Sequence, residues 1–249
     1  MNTLIRRLLA EFIGTALLVA VVVGSGIAAE QLSPGNVGLQ LLENSTATVF
    51  GLGVLILVFG PVSGAHFNPI ISAADWMVGR RRTGLTAAEL GGYIVAQTGG
   101  AILGAIAANL MFDQAAVQVS THHRVTGGHL LGEAIATAGL VMVVFALARS
   151  GRAAWSAAAV AAWIGAAYWF TSSTSFANPA VTIGRIFSDT FAGIAPTSAP
   201  GFIAAQILGG AIGLAVISIL YPGNAQVADS VVVPHRDRDI PLTDSRSPR

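Results

Sequence analysis

Residues 174–185 read TSFANPAVTIGR, and residues 64–70 read GAHFNPI. Each stretch places Asn-Pro after a polar or glycine-bearing entry and before an apolar run. Asparagine is a favoured helix N-cap, and proline at the first helical position sacrifices no hydrogen bond, so each Asn-Pro reads as a helix start. The run that follows the first, NPIISAADWMVG, holds about 11 helical residues, roughly 16 Å at 1.5 Å each. A bilayer's hydrocarbon is roughly 30 Å thick, so this helix cannot cross it alone. NPAVTIGRIFSD is under the same limit, and both segments read as re-entrant half-helices.

The rest of the chain supplies the bilayer. Of 249 residues, 53% are apolar and 10% charged, with a mean hydropathy of +0.69, which is too little polar surface to solvate a globule of this size. Apolar windows long enough to span fall at 6–28, 41–62, 85–111, 128–148, 153–172 and 200–221. The first is too long, and carries Glu11 too far inside it, for a cleavable signal peptide, so it is read as the first membrane helix. The 13 basic residues are all arginine. Arg6, Arg7, Arg80, Arg81, Arg82, Arg149 and Arg152 fall on one side, Arg124 and Arg185 on the other. The excess marks the cytoplasmic face, and both termini are expected there. The near-neutral balance suggests no nucleic-acid partner. The absence of cysteine excludes disulfides and thiol chemistry.

Three pairs of segments recur. AEFIGTALLVAVVVG from Ala10 matches GEAIATAGLVMVVFA from Gly132, aligning Glu11 with Glu133. The Asn-Pro stretches align Asn68 with Asn178, and GGYIVAQTGGAILG with PGFIAAQILGGAIG aligns Gln97 with Gln206. Each half reads span, span, half-helix, span. Three crossings reverse the second copy, so the halves are inverted about an axis in the membrane plane. The two half-helix N-termini then meet near the midplane as a broken seventh span. Non-helical backbone is tolerated at that depth only inside protein or beside a wet cavity.

This constellation resembles the aquaporin and aquaglyceroporin family, the major intrinsic proteins, over residues 4–221. The resemblance implies an all-α membrane fold, with an aquaporin-like inverted repeat of six transmembrane helices and two re-entrant half-helices. The channel domain would be 1–221, with repeats at about 4–111 and 127–221 and a disordered cytoplasmic tail at 222–249. It implies no cofactor, metal or catalysis. Its partners would be small neutral solutes, water, membrane lipid and further copies of the chain in a homotetramer, and its location the bacterial plasma membrane.

The resemblance also assigns roles. Asn68, Pro69 and Ile70, with Asn178, Pro179 and Ala180, are the two pore motifs; Asn68 and Asn178 would donate to a passing oxygen. The carbonyls of Gly64, Ala65 and His66 and of Thr174, Ser175 and Phe176 would form acceptor ladders. Counting without gaps from the asparagines puts the narrow filter at Thr48, Ala166, Ser175 and Val181. Water-selective members carry an aromatic at the first position, histidine at the second and arginine at the fourth. Their absence predicts a wider, uncharged, arginine-lacking filter that passes glycerol-like polyols, undissociated metalloid hydroxides such as arsenous acid, and water. The stretch around Val181 is similar to a bacterial branch of the family associated with arsenic handling. A general water and glycerol facilitator is the alternative.

Arg185 lies four residues after Val181, on the same helical face. Two readings stay open: it folds back to the filter, or it is a vestibule charge paired with a carboxylate such as Asp189. Glu11, Glu133, Gln97 and Gln206 are read as buried struts for the re-entrant loops, with a proton relay as the competing reading for the glutamates. His66 reads as a loop-stabilising residue or a pH gate. Ser63 and His66 lack an orienting acid for nucleophilic chemistry, and His122-His123 lacks further metal ligands. A secondary transporter also uses inverted repeats and broken helices, but the span interiors offer no coupling-ion site beyond the paired glutamates.

Overall fold

The computed structural model describes residues 3–79 and 84–221. Arg80, Arg81, Arg82 and the tail from residue 222 lie outside the described residues. The long helices are α1 (Thr3–Leu32), α2 (Val37–Ser63), α4 (Ala87–Met111), α5 (Gly127–Arg149), α6 (Ser156–Phe170) and α8 (Ala199–Leu220), joined by two short ones, α3 (Pro69–Gly79) and α7 (Pro179–Gly184). Six helices of the described chain, α6 with its preceding 3-10 turn, are long and apolar enough to cross a bilayer. The chain is an integral, multi-pass, all-α protein.

Local chemistry sets the helix starts. Asn36, Thr86 and Thr126 each accept a backbone N–H of the first turn, and Glu89 completes a capping box with Thr86. Around the long helices apolar residues face both ways. On α2, Leu52, Leu55 and Ile56 are buried while Phe50, Val54, Leu57 and Val58 are exposed. Lipid is as acceptable a neighbour for these side chains as the protein interior, so no polar stripe is required.

What holds helix to helix is then close packing rather than expulsion of water. The contacts are paired across the halves: α1 lies along α4 as α5 lies along α8, α1 meets α2 as α5 meets α6, and α3 touches α8 as α7 touches α4. Glycine makes the tightest crossings possible. A Cβ at Gly100 or Gly104 would run into the carbonyls of Phe12 or Ala16 on α1, and one at Gly209 would meet the Ala134 carbonyl on α5.

The two half-helices differ in length. α3 has the 11 residues expected of it, whereas α7 keeps α-helical geometry for only 6 residues before tightening into a 3-10 turn at Arg185–Phe187. Gly184 lies where the change falls. It abuts the Ala101 carbonyl of α4, which a Cβ would approach to 2.6 Å. The Arg185 carbonyl meanwhile accepts the Ile194 N–H at 3.3 Å, binding the turn to the loop that follows.

Candidate functional site

The half-helices meet tip to tip through their asparagines. Asn68 Nδ2 donates to the Ala177 carbonyl at 2.8 Å and Asn178 Nδ2 to the Phe67 carbonyl at 2.7 Å. Each side-chain oxygen caps its own helix, Asn68 Oδ1 accepting from Ile70 and Asn178 Oδ1 from Ala180 and Val181. A primary amide has two N–H groups. One locks the opposing loop, and the second remains for the cavity that both residues line.

The loops before the asparagines carry unusual backbone. Ala65 and Phe67 have φ of 47° and 49°, matched by 47° at Ser175 and 49° at Ala177. Left-handed geometry at non-glycine residues costs of order 1–3 kcal/mol each, so surrounding contacts must impose it. Glu11 does so in the first half, accepting from Ser63 Oγ, the His66 and Phe67 N–H groups and Gln97 Nε2. Glu133 repeats the arrangement, accepting from the Phe176 and Ala177 N–H groups and Gln206 Nε2. Gln97 also donates to Ser72, and Gln206 to Thr182, both at 2.9 Å. Every described bond to the two carboxyl groups comes from a re-entrant loop, the end of α2 or a glutamine.

The cavity runs along one face of each helix around it. α2 contributes Thr48, Leu52 and Ile56; α6 contributes Ser156, Val160, Ile164 and Tyr168; α1 gives Leu18 and Val22, and α5 gives Leu140 and Val144. Ala65, His66, Phe67, Asn68 and Ile71 line it from the first re-entrant segment, and Ser175, Phe176, Asn178, Val181 and Arg185 from the second. A largely aliphatic tube is thus interrupted by polar groups at the paired asparagines and at one end.

That end departs from the expected filter. Thr48, Ser175 and Val181 line it, but Ala166 does not and is exposed on the outside of α6. Ala166 is two residues from both Ile164 and Tyr168, about 200° around a helix of 3.6 residues per turn. The ungapped count therefore selected the wrong face. Tyr168 takes the place instead, 3% exposed, with its hydroxyl 3.2 Å from Thr48 Oγ1. The expected loss of bulk on α6 is corrected: a ring fills that side. The i, i+4 series Ser156, Val160, Ile164 and Tyr168 was the sequence signal that fixed the register.

Arg185 is likewise not paired with Asp189. Its Nε donates to the Ala192 carbonyl and its guanidinium lies 3.4 Å above the centre of the Phe176 ring, while the side chain borders the same cavity as Val181. Asp189 instead accepts from the Thr121 N–H at 2.7 Å, which with the Thr121 hydroxyl and His122 nearby holds its pKa below the usual carboxylate value. Nearby, Arg124 donates to the Gly193 and Phe191 carbonyls, and its guanidinium lies 5.5 Å from the centre of the Phe176 ring. Burial lowers its pKa.

Ser63 is engaged by Glu11, and His66 Nδ1 lies 3.1 Å from Ser72 Oγ with its ring 5.4 Å from that of Tyr93. Among the described residues no cluster of three or more potential metal ligands occurs. Of the proposed carbonyl ladders, Gly64 and Thr174 do not border the cavity between the asparagines, and neither do Pro69, Ile70, Pro179 and Ala180.

A narrow tube entered by two opposed, asparagine-tipped half-helices has a match among known proteins. A sequence model described as Major intrinsic protein covers residues 1–175. The chain belongs to the major intrinsic protein family. Its members are channels and not enzymes. The chain is 45% identical over 216 residues to aquaglyceroporin AqpS of Rhizobium meliloti strain 1021, covering 86% of this chain and 89% of that one. It is 32% identical over 208 residues to mouse aquaporin-4, covering 80% and 58% of the two chains. In fold it resembles the X-ray structure of the aquaglyceroporin from Plasmodium falciparum, with a TM-score of 0.63 at 19% identity over 90% of this chain and 99% of the other.

Proposed function

We propose that this protein is a passive channel for small neutral solutes: glycerol-like polyols, water, and undissociated metalloid hydroxides. The observation that carries the reading is the cavity threading between Asn68 and Asn178, lined by aliphatic side chains except where donors converge. An aliphatic wall binds a polar solute weakly, so a molecule that enters can leave. At the midplane the half-helix N-termini and free amide hydrogens present positive potential. Cations are opposed there, and water is oriented with its oxygen inward, a use of half-helix dipoles established for aquaporin-type pores. The carbonyls of Ala65, His66, Ser175 and Phe176 supply acceptors along the approach.

Glycerol-sized passage is supported by Thr48 and Val181 at the filter and by the likeness to a protein named as an aquaglyceroporin. Metalloid passage rests on the local similarity around Val181. Tyr168 favours the narrower alternative, a water and glycerol facilitator without metalloid passage, because its ring occupies width that the wide-filter reading left open. The pore motifs, residues 68–70 and 178–180, act as the central barrier; Glu11, Glu133, Gln97 and Gln206 hold its shape. The chain would sit in a bacterial plasma membrane as a homotetramer, with cytoplasmic termini set by its arginine distribution and with repeats at 4–111 and 127–221.

Stopped-flow measurement of water, glycerol and arsenous acid flux in proteoliposomes, beside a Val181→Arg variant, tests the substrate range. The variant should lower glycerol and arsenous acid flux by about tenfold, equivalent to roughly 1.4 kcal/mol of added barrier. Intact flux of both would show that Val181 does not set the width.

A further inference from the structure

The filter position that carries arginine in water-selective relatives is valine here, yet a guanidinium borders the cavity one helical turn farther along. Arg185 is 2% exposed. It is held by the Ala192 carbonyl at Nε and by the face of Phe176, 3.4 Å from its centre. Neither partner is an anion, and among the described residues no carboxylate lies in ion-pair range of it. Guanidinium has five N–H donors in a planar fork. Those on the two Nη atoms have no described protein acceptor, so they are left for the lumen.

The loop around it is shaped to keep the charge in place. Arg124 gathers the Gly193 and Phe191 carbonyls, fixing the segment that presents Ala192 to Arg185. Facing the same cavity are the Tyr168 ring, tied to Thr48, and the Ser175 hydroxyl, buried without a protein hydrogen-bond partner. The lining there therefore combines donors, Arg185 and the Ser175 hydroxyl, with the apolar Tyr168 ring and Val181.

We infer that Arg185 and Tyr168 are the specificity-determining pair of this channel, the filter cation having moved from position 181 to position 185. The inference rests on the channel reading and deepens it. A polyol or uncharged oxyacid turns its oxygens to Arg185 and Ser175 and its carbon or bare edge to Tyr168 and Val181. A sodium ion meets an uncompensated positive charge at low dielectric and is rejected. Moving the cation outward frees space beside Val181 without making the filter neutral.

Glycerol, water and sodium fluxes are to be compared in proteoliposomes of the full chain for the wild type, Arg185→Gln and Arg185→Lys, with gel-filtration elution as the folding control. Wild type should pass glycerol and exclude sodium. Arg185→Gln, eluting normally, should raise sodium flux by about tenfold or more and change the glycerol-to-water ratio. Arg185→Lys keeps the charge but loses the planar fork; it should exclude sodium while still changing that ratio. Unchanged sodium exclusion and an unchanged ratio in Arg185→Gln would overturn the inference, reducing Arg185 to a brace for its loop. Should Arg185→Gln not elute as a folded species, Arg185→Lys decides, and an unchanged ratio there overturns it. A wild type that conducts no solute refutes the channel reading, and the inference falls with it; a conducting wild type with indifferent variants refutes the inference alone.

Discussion

At the scale of single residues, the pore depends on side chains that do two jobs at once. Asn68 and Asn178 each cap a half-helix with oxygen and clasp the opposite loop with nitrogen. Asn178→Asp keeps the cap but replaces the donor to the Phe67 carbonyl with an acceptor, setting two acceptors against each other in a buried site. It should lower the thermal midpoint in detergent and impair solute flux; a buried polar group left unpaired costs about 1–3 kcal/mol. A variant of wild-type stability would mean the clasp is not maintained. Both Asn-Pro pairs were legible in the sequence because capping is local chemistry. The clasp was not, since it joins residues more than a hundred positions apart. Ala166 shows the same limit differently: counting from Asn178 assumes a connecting loop of fixed length, whereas helical spacing from Ser156 to Tyr168 needs no such assumption.

Elements are held by the two glutamates and by glycine crossings. Glu133 carries three described bonds to the second re-entrant loop and α8. Glu133→Ala would strand those donors beside strained backbone, at about 1–3 kcal/mol each. We expect it to abolish recovery of folded protein, with Glu133→Gln less severe, as read by gel filtration and thermal denaturation; equal yields for both would contradict the strut role. Gly104→Val should separate α4 from α1, since even a Cβ meets the Ala16 carbonyl, and should lower the thermal midpoint more than Gly91→Val, where nothing lies within 4 Å. The correspondence of Glu11 with Glu133 and of Gln97 with Gln206 was visible as a repeat because inversion preserves sequence order; the bond from each glutamine to its glutamate was not. The early end of α7 was not visible either, because the turn after it is bound to the following loop, the Ile194 N–H donating to the Arg185 carbonyl.

Asp189 offers a pH test at the same scale. Its pKa is lowered by the Thr121 N–H it accepts, with further help from the Thr121 hydroxyl and His122. A folded value below the unfolded one adds stability that is complete above the ordinary carboxylate range and disappears as pH falls through the folded value. Amide exchange at Thr121 should therefore accelerate only in acid below the ordinary Asp value of about 3.9. Acceleration between neutral and mildly acidic pH would point to His122 instead.

For the whole molecule, inversion turns one building plan into a symmetric barrier with an asymmetric filter. The repeated parts, glutamate, glutamine and asparagine, build the centre. Arg185, Tyr168 and Val181 belong to one half and are the residues we propose to set the channel's selectivity. With no cysteine in the chain, mercurials should not block flux, and thiol-reversible inhibition would contradict this. Passive conduction is decided by glycerol-driven volume change in proteoliposomes. Flux should be proportional to the glycerol gradient and indifferent to imposed sodium or proton gradients; saturable uptake that either ion gradient drives uphill would contradict passive conduction.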